Sequence, residues 1–265
     1  MRNKKFLIPL LIALTAILCL AGIFYWQSFS NDLDYRATPS LQITPETLPA
    51  QSNAASPSPS PTIPLQTPKE ISSGNANKKQ IIFTFDFGSG NQSGQKILEV
   101  LKDHDVRGTF FTTGRSAEQN ARLIEQIAKQ GHEIFNHTHS HPHLTQLTDE
   151  EIRQEFKKCE DIVFGLTGHS TKPYFRPPYG ERDERVLRVA AQEGYQSVFW
   201  TKDAGDWITD ITPQEVKQRI YSSLKNGAII LMHVGDEITG QILDEVFTQI
   251  EQQGYKIVGL TEGLK

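Results

Sequence analysis

Four of the eight histidines fall between Asn136 and His143, at 137, 139, 141 and 143. A His-x-x-x-His pair such as His137 and His141 presents both imidazoles to one metal when the residues between them make a helical turn. Neutral imidazole suits zinc, and also copper, nickel or iron. The other reading of the stretch is a polar, histidine-rich surface loop. Further groups able to carry protons or charge stand far away in sequence: Asp86, Arg176, Asp203, Asp206 and His233. Each follows or ends a short apolar run, so the elements that carry them decide whether they meet.

Those runs read as strands over residues 81–85, 109–112, 133–136, 174–176, 197–200, 228–232 and 256–260. Between them lie segments with apolar spacing of three and four, such as Ile97-Leu98-Leu101 and Leu123-Ile124-Ile127. Thr148 with Glu151, and Thr212 with Pro213 and Glu215, predict capping boxes at two helix starts. Val216, Ile220 and Leu224 mark one buried face of the second, which Gly227 stops. Strand–helix alternation repeated seven times predicts parallel strands with right-handed crossovers, an α/β fold built as a distorted (β/α)7 barrel. In such a barrel functional groups sit on the loops leaving the carboxyl ends of strands, where all the residues above fall.

The barrel accounts for residues 78–265. Residues 1–29 read as a cytoplasmic stub and signal anchor: Arg2, Lys4 and Lys5 precede an uncharged apolar run over 6–26. At about 1.5 Å per residue that run crosses a hydrocarbon layer of roughly 30 Å, with Tyr25 and Trp26 at the interface. It exceeds the roughly 7–15 residues usual for a cleaved signal core, so a single-pass transmembrane helix is expected, with secretion after cleavage as the alternative. The positive flank puts the remainder outside the cytoplasm. Residues 30–77 read as a disordered linker, holding eight of the 14 prolines. A net charge of −4 excludes the basic footprint of a nucleic-acid binder, and two cysteines exclude a disulfide framework.

Five ordered blocks over residues 78–265 resemble the polysaccharide deacetylases, carbohydrate esterase family 4, which includes chitin and peptidoglycan deacetylases. Thr84-Phe85-Asp86-Phe87-Gly88 is similar to the family's Thr-Phe-Asp-Asp-Gly, and His137-Thr138-His139-Ser140-His141 to its His-Ser/Thr-x-x-His. Arg176-Pro177-Pro178-Tyr179-Gly180, Asp203-Ala204-Gly205-Asp206-Trp207 and Leu231-Met232-His233 are similar to three further family motifs. The resemblance implies removal of N-acetyl groups from amino sugars of an envelope polysaccharide. It implies a divalent metal on His137 and His141, zinc first and cobalt or nickel next, with Asp86 as base. Arg176 would hold Asp86 ionised, and Asp206 would raise the pKa of the acid His233. Tyr179 would aim a backbone amide at the oxyanion, and Leu231 and Trp207 would wall the acetyl methyl.

One position departs from the family. Its second aspartate, a metal ligand, is Phe87 here, which cannot coordinate a cation. Two histidines fall short of the three protein ligands usual in catalytic zinc sites. Three outcomes stay open: water completes the ligand set, His139 substitutes, or the chain is a metal-free glycan binder.

Overall fold

Eight strands and eight α-helices are distributed along residues 69–265, the residues that the computed structural model describes. The apolar run 6–26 and most of the proline-rich stretch lie outside the described residues. Among the described residues no helix is long and apolar enough to cross a membrane.

The central strand β1 (Gln80–Phe87) is buried along its whole length. Its period of two sorts its side chains. Ile81, Phe83, Phe85 and Phe87 belong to the core shared with the helices. Ile82 belongs to the interior cluster with Phe111, Phe135 and Ile229, and Thr84 and Asp86 continue that interior face. Every strand pair is parallel, and helices cover the outer surface, as burial of both faces requires. The sheet runs β5 (Gln196–Ser197), β4 (Tyr174–Phe175), β3 (Glu133–Asn136), β2 (Thr109–Thr112), β1, β7 (Ala228–His233), β6 (Lys202–Asp203). The last strand, β8 (Lys256–Val258), pairs with the start of β1, at residues 80–82, whereas β2 pairs with its end, at 84–87. Since β7 occupies the other edge of β1, β8 and β2 share one edge, one after the other.

β5 and β6 stand at opposite ends of this order yet are joined by residues 198–201 alone. That connection spans at most roughly 15–18 Å, so the sheet must curl until its edges nearly meet. The parallel α/β architecture agrees with the expected class, and the distortion of the expected barrel is a sheet that curls without its two edge strands, β5 and β6, pairing. Of the expected strand over 197–200 only Ser197 lies in β5 and Val198 in a single bridge, and β6 begins beyond it at Lys202. The cause is Arg176: its Nε donates to the Val198 carbonyl and its Nη2 to the Phe199 carbonyl, both at 3.2 Å. Carbonyls turned toward a buried guanidinium cannot serve a ladder to a neighbouring strand. The remaining strands fall where the apolar runs place them, within two residues at either end.

Helix ends follow the local signals. Thr148 opens α4 (Asp149–Thr167) and Thr212 opens α6 (Pro213–Tyr221), each with a complete capping box. The linker reading extends too far, because residues 69–77 pack on the domain. Ile71 forms a parallel bridge with Val198, Gly74 N–H donates to the Gly227 carbonyl and Asn75 N–H to that of Gly263. The proline spacing ends at Pro68, and Ile71 is an apolar side chain free to dock.

Phe87 sits fully buried among the helix-side residues. Phe87→Ala should therefore lower the unfolding free energy by about 3–5 kcal/mol, as truncation of a core phenylalanine does. Urea denaturation checks this, with an unchanged m-value showing that the fold is retained.

Candidate active site

The carboxyl ends of the strands surround a cleft of about 570 Å³, lined among others by Asp86, His137, His141, Tyr179, Asp203, Trp207, Leu231 and His233. Of the site residues expected from sequence, only Arg176 and Asp206 lie beneath this lining, both buried.

Arg176 follows β4 and has no exposed surface. Its Nη1 donates to Asp86 Oδ1 at 2.7 Å and to Thr84 Oγ1 at 2.9 Å. Thr84 and Asp86 are two apart on β1, hence on one face, and a single nitrogen reaches both. The guanidinium plane lies 4.2 Å from the Phe111 ring centroid. Burial alone would raise the Asp86 pKa, but Arg176 beside it, aided by the charge of His233, holds the carboxyl below its ordinary value. Asp86 is therefore an anion at neutral pH.

His137 is buried just beyond β3, and its Nδ1–H donates to the Arg176 carbonyl at 2.8 Å. That bond fixes the tautomer and leaves Nε2 as the lone-pair atom, 3.5 Å from Asp86 Oδ2. The residues between His137 and His141 do not form a helical turn. Thr138 and His141 take left-handed backbone conformations, with φ of 69° and 60°. Side chains hold the loop: Asn136 Oδ1 accepts from Thr138 N–H, and Thr138 Oγ1 from His141 N–H. Glu155 of α4 accepts from the N–H groups of His139 and Ser140 and from the Ser140 hydroxyl. The loop brings the two rings to 4.9 Å between centroids in a T-shaped contact. Burial, and the neighbouring His137, push the His141 pKa down to about 4. Burial also lowers that of His137, against the opposing pull of Asp86.

Two neutral imidazoles, one with its far nitrogen pinned by a carbonyl, are donors whose chemistry fits a divalent cation, and the anionic Asp86 carboxylate lies beside them. Phe87 adds nothing to it, since it faces the helix-side core. His139 does not substitute for the missing ligand: it lies against Gly114 beneath the loop, its Nδ1 buried without a hydrogen-bond partner.

On the opposite wall, His233 ends β7 as the register partner of Asp86. Its Nδ1 bonds to Asp206 Oδ1 at 2.9 Å, and its backbone N–H donates to Asp206 Oδ2 at 2.7 Å. Thr239 Oγ1 donates to the same Oδ2. Burial would lower the His233 pKa, but the hydrogen bond and charge of Asp206, with Asp86 and Asp203 behind, raise it to about 9. Among the described residues, Asp206, His233 and Asp236 form the set of three side chains whose ligand atoms lie within 4.8 Å of one another. A cation is disfavoured there: Asp206 already accepts three hydrogen bonds, and His233 carries a proton.

Tyr179 occupies the left-handed region at φ 57°, a conformation costing a non-glycine residue about 1–3 kcal/mol unless its surroundings impose it. Its ring stacks on His143 at 4.4 Å and meets His141 edge-on at 4.5 Å. Its backbone N–H has no acceptor among the described residues. Leu231 is almost fully buried in the cleft wall, whereas Trp207 is 56% exposed at the rim, its indole N–H held by the Asp203 carboxylate at 3.1 Å.

Thr84, Glu155, Asp236 and Thr239 were missed in the sequence. Thr84 alone carried a signal there, two residues before Asp86 on the same strand face. Because the folded pKa of His233 exceeds its ordinary 6.5, its protonated form stabilises the fold. That contribution is complete below pH 6.5 and is lost as pH rises through about 9. NMR titration of the imidazole should give a midpoint near 9, falling by at least one unit in Asp206→Asn.

A family profile described as polysaccharide deacetylase matches residues 73–198. The peptidoglycan-N-acetylmuramic acid deacetylase PdaA of Bacillus subtilis is 38% identical over 69% of this chain and 70% of its own length. A peptidoglycan-N-acetylglucosamine deacetylase of Bacillus cereus is 35% identical over 71% of this chain and 69% of its own. The crystal structure of a pseudoenzyme of carbohydrate esterase family 4 from Bacillus anthracis superposes with a TM-score of 0.71 at 34% identity, covering 75% of this chain and 69% of that one. With its curled parallel sheet and the ordered blocks gathered at one rim, the chain belongs to the polysaccharide deacetylase family, carbohydrate esterase family 4.

Proposed function

We propose that this protein removes N-acetyl groups from the amino sugars of a peptidoglycan-type envelope polysaccharide. One observation carries the reading: an anionic Asp86 and a cationic His233 occupy partner positions on adjacent parallel strands and open into one cleft with two neutral imidazoles. Neighbouring strands are about 4.8 Å apart, so base and acid flank a group the size of an acetamide.

A divalent metal on His137 and His141, zinc in the first place, would polarise the acetamide carbonyl and acidify a water. Asp86 takes the proton of the attacking water, held ionised and oriented by Arg176. The Tyr179 N–H donates to the developing oxyanion. His233, charged through its bond to Asp206, gives its proton to the departing amine. Leu231, with Trp207 at the rim, forms the apolar wall for the acetyl methyl. The apolar run 6–26 anchors the chain in the cell membrane in this reading, with residues 78–265 outside the cytoplasm.

Full-length protein incubated with peptidoglycan or N-acetylated chitooligosaccharides should release acetate. His233→Ala should lower turnover by about 10²–10⁴, and Asp86→Asn should remove it to a similar extent. The rate should fall on the alkaline side as His233 loses its proton near pH 9. Chelation should suppress acetate release and added zinc restore it. A second reading, a glycan-binding pseudoenzyme, is favoured by Phe87 and by likeness to a pseudoenzyme structure. It predicts glycan affinity with no acetate at any metal concentration.

A further inference from the structure

The segment that leads into the domain reaches the rim of the cleft through one side chain. Glu70 lies in the stretch that docks beside β5, where Ile71 N–H donates to the Ser197 carbonyl and the Phe199 N–H to that of Ile71. Its carboxylate takes Arg182 in a two-point pair, Nε to Oε2 at 2.8 Å and Nη2 to Oε1 at 2.5 Å, and also accepts from Ser197 Oγ. The third Arg182 nitrogen, Nη1, donates to the Gly180 carbonyl at 2.9 Å. The guanidinium lies 3.9 Å from the Phe199 ring centroid, and Phe199 stacks on Trp200 at 3.9 Å and 15°. Gly180, at φ 70°, touches both rings so closely that a Cβ would lie 2.8–2.9 Å from them. Arg182 therefore joins three pieces of chain: the incoming segment, the 198–200 bend and the turn at 177–180.

We propose that Glu70 and Arg182 are positioning residues for the reaction, holding Tyr179 in its left-handed conformation so that its N–H stays aimed into the cleft; this rests on the deacetylase reading above. A strained residue persists only where its surroundings over-determine it. Tyr179 is followed directly by the carbonyl that Arg182 holds and by the glycine wedged against Phe199 and Trp200. The bidentate geometry suits arginine and not lysine, whose ammonium is a single point of charge. Entry of the chain into the domain and the oxyanion side of the cleft thus share one ion pair.

The test compares full-length wild type with Arg182→Ala, Arg182→Lys and Glu70→Gln. Lys217→Ala, which breaks an ion pair with Glu245 remote from the cleft, is the control. Expected are a fall in kcat of about 10–100-fold with KM within threefold for Arg182→Ala and Arg182→Lys, and a smaller fall for Glu70→Gln, whose amide oxygen still accepts one hydrogen bond from Arg182. The control should keep wild-type kcat. Exchange of the Gly180 and Glu181 amides, which donate to the Pro177 and Pro178 carbonyls, should quicken in the Arg182 variants and stay unchanged over 84–87 and 228–233. Unchanged kcat in an active series, or a fall in kcat with no faster exchange at Gly180 and Glu181, overturns the proposal. If wild type releases no acetate, the deacetylase reading fails, and the exchange experiment alone decides whether the pair restrains the turn. If Arg182→Ala does not fold, Arg182→Lys and Glu70→Gln decide by the same criteria.

Discussion

The ion pair between Arg176 and Asp86 is the interaction on which the rest of the structure depends. Taking two charges out of water costs several kcal/mol per ion, and their attraction repays it only when the remaining donors are also satisfied. Here the guanidinium donates to Asp86, Thr84 and the carbonyls of Val198 and Phe199, and its own backbone carbonyl receives the His137 ring. One residue thus fixes the end of β1, breaks the strand after β5, and sets the tautomer of a histidine in the cleft. An apolar pair of equal volume would serve a core as well or better. A site that needs an ionised carboxylate in a buried position would not survive that exchange.

The cleft keeps oppositely charged groups side by side by giving them different neighbours. Asp86 has cations around it and loses its proton. His233 has Asp206 directly behind it and keeps its own. Pairs of titratable groups whose pKa values are driven apart are the pattern expected of a base and an acid at pH 7. The two neutral imidazoles of His137 and His141 complete a division of labour that follows from burial and partner alone.

Phe87 shows how the same strand serves two purposes. Asp86 and Phe87 are adjacent, so they face opposite sides of the sheet. The phenyl ring adds to the core that supports β1, and the imidazole donors of the cleft are left to the loop after β3. That loop holds two non-glycine residues in left-handed conformation, and Glu155, from the long helix that follows, fastens it.

Much of this was written locally. The capping boxes at Thr148 and Thr212 need only four consecutive residues, and the alternation along β1 needs only its own eight, so both were legible in sequence. The five blocks were legible as a pattern, with each chemical group after a strand. What sequence could not give were the break at 198–201, the packed stretch 69–77, the non-helical histidine loop and the fate of His139. Each depends on partners far along the chain: Arg176 and Asp86 are 90 positions apart, Glu70 and Arg182 112. By itself the sequence determined the elements, their inward and outward faces and the set of reactive groups, because propensity, capping and periodicity act between near neighbours. Tertiary structure alone decided which carbonyls turn inward, which groups carry charge and which histidines meet, because burial and Coulomb interaction depend on where the whole chain brings its distant parts together.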